Sequence, residues 1–171
     1  MNFMRLVLLS IAMGAWGCET RMALYEQTRE GFQQLLDACG QEAVRRIELV
    51  LIPRGEPRRN PYGEFAFGYG GQQNSDLSLP NPAFWRHVDW VLKRITSRGW
   101  DAVLLVMEPG SFGELAGEGK LLELGRYLGR RFGPGKGIVW LRPAGKGPDN
   151  LSVLEEGIRT FDSRHRWENS R

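Results

Sequence analysis

The chain has 171 residues, 42% of them hydrophobic and 25% charged. That balance fits one globular domain with its own core and excludes a disordered segment. The net charge is +3, and Lys and Arg are scattered apart from pairs such as Arg45-Arg46, Arg58-Arg59 and Arg130-Arg131; no concentrated basic face is offered to nucleic acid.

Residues 1–18 stand apart. One positive charge lies in the first five residues, Leu6 to Ala15 is a short apolar run, and Gly17-Cys18 follows. This reads as a secretory leader, with Cys18 as the lipidated residue in the lipoprotein version. The protein would then be exported, either periplasmic or lipid-anchored through Cys18. The apolar run is too short to span a membrane as a stable helix. The competing reading makes Leu6 to Met13 a first core strand. The cysteines are Cys18 and Cys39. Cys39 reads as a buried, inert thiol on an apolar helical face, and a disulfide with Cys18 is the other option. Neither the cysteines nor His87 and His165 have zinc spacing, so no metal is expected.

Thr28 can cap a helix whose apolar face is Phe32, Leu35, Leu36 and Cys39, with Gly40 as its stop. Ile47 to Ile52 (IELVLI) is a nearly continuous apolar run, as expected of a parallel strand covered on both faces. Residues 53–81 form a long loop rich in Pro, Gly, Asn and aromatics, and loops of that length are functional or mobile. Asn81 then caps, and Pro82 opens, the clearest helix in the chain; Phe84, Val88, Val91 and Ile95 make its stripe and Gly99 ends it. Ala102 to Met107 (AVLLVM) is the next strand. The glycine-rich loop Pro109 to Gly119 leads to a helix with Leu121, Leu124 and Leu128 inward and Gly133 at its end. Gly137 to Leu141 (GIVWL) is a third strand. The last helix, Leu151 to Phe161, presents Leu151, Leu154, Ile158 and Phe161, with Ser152 and Glu155 as a capping box.

Strands alternating with helices imply an α/β fold with parallel pairing through right-handed crossovers. The strand-to-helix loops are long and the return connections short. That places the elaborated loops at the carboxyl ends of the strands, where barrels and open α/β sheets hold their sites. By that rule Glu108, which ends AVLLVM, is a ligand-facing carboxylate, or else a loop cap. Arg142, which ends the third strand, is a ligand contact or a salt-bridged surface residue. Asn60 and Tyr62 suit sugar hydroxyls and stacking, or internal bracing of their loop. Phe65, Phe67 and Tyr69 alternate, with Tyr62 nearby, as an aromatic platform or a packed loop. His87 and Asp89, early in the clear helix, read as structural. There is no GxGxxG after a strand, no Walker A motif and no GxSxG, so a nucleotide cofactor or a serine-hydrolase elbow is unsupported.

The loop Asn60-Pro61-Tyr62-Gly63-Glu64-Phe65 resembles the N-x-Y-G-x-x-P-F loop after the second strand of apiosidase-like glycoside hydrolases. Pro80-Asn81-Pro82-Ala83-Phe84-Trp85-Arg86-His87-Val88-Asp89 is similar to their P-N-x-x-Y-F-x-H-V-D helix start. Gly125 to Phe132 and then Gly137-Ile138-Val139-Trp140 resemble their helix and following N-I-I-W strand, and Asp162-Ser163-Arg164-His165 their D-x-x-H. These similarities run in order over about residues 28–166.

The resemblance implies a partial (βα) barrel of about four β-α units over residues 19–166, helices outside, with a polar tail at 167–171. The family's members are (βα)8 barrels that cleave glycosidic bonds with two carboxylates. In the family the I-I-W strand runs into L-G-G-D, whose aspartate would be a catalytic acid. Here Trp140 is followed by Leu141-Arg142-Pro143-Ala144-Gly145. Asp149 is the next carboxylate, so the catalytic candidates are Glu108 and Asp149, with Asn60, Tyr62 and Arg142 for substrate. A complete barrel needs roughly 200 residues or more, and a hydrolytic pair stands about 5 to 10 Å apart. The expectation is a degenerate or partial hydrolase acting on plant-type polysaccharide, with at most weak carbohydrate binding. The alternative is a structural module that completes its half-barrel by homodimerisation or with a partner chain. A half-barrel leaves strand edges and one apolar sheet face to be covered, by another chain or by the terminal segments.

Overall fold

A computed structural model of the chain describes residues 18–68, 74–143 and 151–170. The elements in order are α1 (Ala23–Glu26), α2 (Arg29–Gln41), β1 (Arg46–Ile52), α3 (Pro82–Thr96), β2 (Asp101–Met107), a 3-10 turn (Phe112–Leu115), α4 (Glu118–Phe132), β3 (Ile138–Arg142), α5 (Leu151–Phe161) and β4 (Trp167–Asn169). The four strands form one parallel sheet in the order β1-β2-β3-β4. Sequence neighbours are therefore spatial neighbours, each pair joined through one helix. This is the winding of a barrel wall, and it is the α/β fold read from the sequence. Residues 167–169, which the sequence suggests are tail, form β4: Trp167 pairs with Trp140, and their rings stack at 5.9 Å. The leader segment, including the Leu6–Met13 strand alternative, lies outside the described residues.

Local chemistry explains most of the elements. The Thr28 hydroxyl accepts from the Gly31 amide at 3.2 Å to start α2, and Asn81 Oδ1 accepts from Ala83 at 3.0 Å to start α3. Each satisfies one of the amides that a helix N-terminus leaves free. α2 does not stop at Gly40. It runs to Gln41, and Ala43 takes the left-handed turn at φ 58°. Gly40 is instead kept small by Trp100, whose ring would lie 3.3 Å from a Cβ there. The Glu155 carboxylate is held by Arg142 and Arg159. Phe161, expected inward, is 47% exposed beneath the Arg130 guanidinium.

The two sheet faces bury different sets. The face carrying Ile47, Leu49, Leu51, Leu104 and Trp140 packs on α2–α5, together with Phe32, Phe84, Trp85, Leu128 and Ile158. The opposite face carries Val50, Val103, Leu105, Val139 and Leu141, none more than 6% exposed. Burying such aliphatic side chains is worth roughly 1.5–3 kcal/mol each, so a face left open would be costly. Part of the cover is the segment just before α1. The Arg21 carbonyl accepts from the Val50 amide at 2.9 Å, the Thr20 hydroxyl donates to the Glu48 carbonyl at 2.8 Å, and Met22 packs on both cores. Residues 20–22 thus cover part of the outer edge of β1. A disulfide between Cys18 and Cys39, with Cα atoms 5.5 Å apart, ties that segment to α2.

Candidate functional site

A cleft of about 380 Å³ opens above the carboxyl ends of β1 and β2, lined by Glu19, Arg21, Met22, Pro53, Arg54, Arg58 and Glu108. Glu108 follows β2 directly. Its amide donates to the Ile52 carbonyl at 3.0 Å, which extends the sheet pairing by one step and fixes the residue at the cleft floor. Both carboxylate oxygens are engaged. Oε1 pairs with Arg21 Nη2 at 3.1 Å, and Oε2 accepts from the Arg54 amide at 2.9 Å. The Arg54 side chain turns away to the Pro109 carbonyl at 2.9 Å.

Arg21 also reaches Glu48, Nε to Oε1 at 3.1 Å, as a charge contact without hydrogen-bond alignment. Glu48 is the one carboxylate inside the IELVLI strand and faces the inner side of the sheet. A second cavity of about 580 Å³ lies there, lined by Arg21, Arg46, Glu48, Val103, Leu141 and Glu168 among others. Arg21 therefore stands between the cleft and the inner cavity, bridging one carboxylate in each.

The remaining sequence candidates are not gathered around Glu108. Asn60 is buried and braces its own loop, its Oδ1 accepting from the Tyr62 and Glu64 amides at 3.0 Å each. Tyr62 lies on the helix side, where its hydroxyl accepts from the Arg29 amide at 2.8 Å and its ring meets His87 edge-on at 5.2 Å. His87 is buried, and neither ring nitrogen has a hydrogen-bond partner among the described residues. Desolvation, and then the charge of Arg29, lower its pKa from 6.5 to about 4, so the ring is neutral at physiological pH. Phe65 and Phe67 are buried packing residues of the loop rather than an open platform; Tyr69 lies outside the described residues.

Arg142 faces α5. Its guanidinium pairs with Glu155 at 2.7 and 2.9 Å and lies over Trp167. Strand alternation explains this, because Leu141 takes the inner position and the next residue must turn outward. Asp149 lies outside the described residues. The residues not anticipated from the sequence are Arg21, Arg54 and Glu48. Arg54 follows the end of β1 by the rule that singled out Glu108, so it was open to detection. Arg21 was not, because its position depends on the edge-closing segment. Among the described residues, no helix is long and apolar enough to cross a membrane.

The family description "Apiosidase-like, catalytic domain" matches residues 10–168, a span that begins inside the segment read as a leader. Among solved structures, a glycoside hydrolase family 5 protein from Bacteroides vulgatus ATCC 8482 aligns with a TM-score of 0.74 at 19% identity over 87% of this chain. A second structure, described as a glycoside hydrolase, aligns with a TM-score of 0.70 at 15% identity. At such identities the likeness concerns the fold. This chain spans 33% and 34% of their lengths, about a third. No curated protein matches it.

Proposed function

The chain belongs to the apiosidase-like catalytic-domain family, and from that premise we propose that it binds carbohydrate at the Glu108 cleft without cleaving it. The observation that carries this reading is the state of Glu108. It sits where a barrel presents its working residues, yet Arg21 and the Arg54 amide already occupy both of its oxygens. Glycoside hydrolysis needs one carboxyl group to give a proton and a second to act on the opposite side of the ring. Glu108 is placed to accept from sugar hydroxyls once Arg21 moves aside, and Arg58 supplies donors on the same wall. The ligand class is plant-type polysaccharide. The test is titration with oligosaccharides of that class alongside a reducing-end assay, with Glu108→Ala as the site control.

The Cys18–Cys39 disulfide supports an exported protein, since disulfides persist in oxidising compartments. With the Cys18 sulfur bonded to Cys39, the periplasmic form is favoured over the lipid-anchored one. A second reading, an assembly module, rests on β4: among the described residues it pairs only with β3, so its outer edge offers hydrogen-bonding groups to another strand. Light scattering on purified protein tests it, and a monomer at all concentrations ends it.

A further inference from the structure

We infer that the Cys18–Cys39 disulfide is a redox-sensitive latch that holds residues 18–22 across the β1 edge and keeps Arg21 seated on Glu108. Cys39 is the fixed half. It is fully buried on α2, inside the main core. Cys18 is the half-buried partner and begins the edge-closing segment. Arg21 follows it by three positions, a tether of roughly 10 Å when extended. While the bond is closed, Arg21 stays within reach of its seat.

Among the described residues, Arg21 is also held by its ion pair with Glu48. Two hydrogen bonds join the segment to β1, from the Thr20 hydroxyl to Glu48 and from the Val50 amide to Arg21. Met22 adds its apolar contact, and the next element, α1, is a single turn anchored in the main core by Ala23, Leu24 and Tyr25, with the Tyr25 hydroxyl on the Leu51 carbonyl and its ring 5.5 Å from that of Phe84. Upstream of that anchor, residues 18–21 are held by the disulfide and these polar contacts, and segments so held sit at the low-stability end of a protein's local openings. Opening the latch would therefore free the segment without unfolding the sheet. The Val50 amide at the β1 edge and Oε1 of Glu108 would be uncovered together, along with the Glu48 groups that Thr20 and Arg21 hold. The Arg54 amide would stay on Oε2.

The opening step is thiol–disulfide exchange with a dithiol reductant. A thiolate attacks the sulfur of Cys18, the less buried of the two cysteines, the Cys39 sulfur leaves as a thiolate and takes a proton, and the second reductant thiolate resolves the mixed disulfide. The protein gains two electrons and two protons as two thiols, and the reductant leaves as a cyclic disulfide. The latch does not depend on whether the cleft takes a sugar, and its test contains none.

The test compares oxidised protein, dithiothreitol-reduced protein and the Cys18→Ser variant. Hydrogen exchange follows the Val50 amide, carbodiimide labelling follows Glu108, and the α4–α5 amides serve as the global control. On reduction, with both thiols confirmed by titration, Val50 exchange is expected to rise about tenfold or more and Glu108 labelling to increase, while α4 and α5 change by less than about twofold. Cys18→Ser should reproduce the reduced pattern without reductant. Unchanged Val50 protection in the fully reduced protein overturns the latch. Loss of protection throughout α4 and α5 overturns it too, since the disulfide would then be a staple of the whole fold.

Discussion

Arg46, the first residue of β1, forms an ion pair with Glu168 in β4, although β2 and β3 lie between them. In a flat sheet, three strand spacings of about 4.8 Å would hold these strands roughly 14 Å apart. The register also sets Glu168 level with Leu141, Leu105 and Val50, four residues along from Arg46. The two side chains meet because the sheet twists and curls around its inner face, as sheets of right-handed twist do. The concave side is therefore a walled space, and Arg21 lines both it and the Glu108 cleft.

The curl is backed by unusually close helices. A Cβ on Gly125 of α4 would lie 2.3 Å from the Leu154 carbonyl oxygen, and one on Gly129 would lie 2.4 Å from that of Ile158. Both obstacles are backbone atoms of α5, which cannot turn away. Gly125→Ala and Gly129→Ala should each destabilise the protein by about 2–3 kcal/mol through overpacking. Gly119→Ala, in the open first turn of the same helix, meets nothing within 4 Å and should gain up to about 1 kcal/mol from helix propensity. Urea denaturation of the three variants separates close approach from propensity; equal losses at all three positions would contradict this account of α4–α5 packing.

His87 makes stability depend on pH. Desolvation and the nearby Arg29 lower its folded-state pKa from 6.5 to about 4. The unfolded chain therefore binds the proton more readily, and stability falls as pH drops from about 6.5 towards 4. The full effect is on the order of 3 kcal/mol. Denaturation midpoints measured across that range should slope for the parent protein, and His87→Phe should flatten the slope. A parallel slope in the variant would assign the pH dependence to other groups.

Two ion-paired residues near the last strand should behave differently. Asp162 is buried, accepts from Trp140 Nε1 at 2.7 Å, pairs with His165 Nδ1 at 2.7 Å, and also takes the Arg164 and His165 amides. Desolvation raises its pKa, but the Trp140 and His165 hydrogen bonds outweigh that and leave it lowered. Its contribution is therefore present above the unfolded carboxylate range and lost as pH falls below it. Asp162→Ala should cost on the order of 3 kcal/mol, because several buried donors lose their acceptor. Arg142→Ala breaks a half-exposed pair with Glu155 and should cost about 1 kcal/mol or less. Thermal melts of the two variants check the ranking.

The residues involved show where sequence reasoning reaches its limit. The strands IELVLI and AVLLVM and the Asn81-Pro82 helix start were legible because their signals are local: continuous apolar runs and a cap beside a proline. The outward turn of Arg142 followed from strand parity, which cannot be counted until the strand's exact start is known. The three-residue β4 was too short to show a pattern, and its identity comes from Trp167 stacking on Trp140. In the site, Glu108 was found by its strand-end position. Arg21 was not, because it acts through a segment paired to β1 at a separation of 29 residues, from Arg21 to Val50. The chemistry of Asn60 suits a sugar contact and loop bracing equally, and only the folded loop shows its oxygen holding two amides of that loop.

The central claim is that the Glu108 cleft binds sugar without hydrolysing it. The most direct measurement titrates the purified chain with plant-derived oligosaccharides by two-dimensional NMR and assays the same samples for new reducing ends. Weak, saturable shifts around Glu108, Arg54 and Arg21 that Glu108→Ala abolishes, with reducing ends at background, are the predicted result. Reducing ends that accumulate in the parent protein and disappear in Glu108→Ala would contradict the account, as would a panel that shifts no resonance near the cleft.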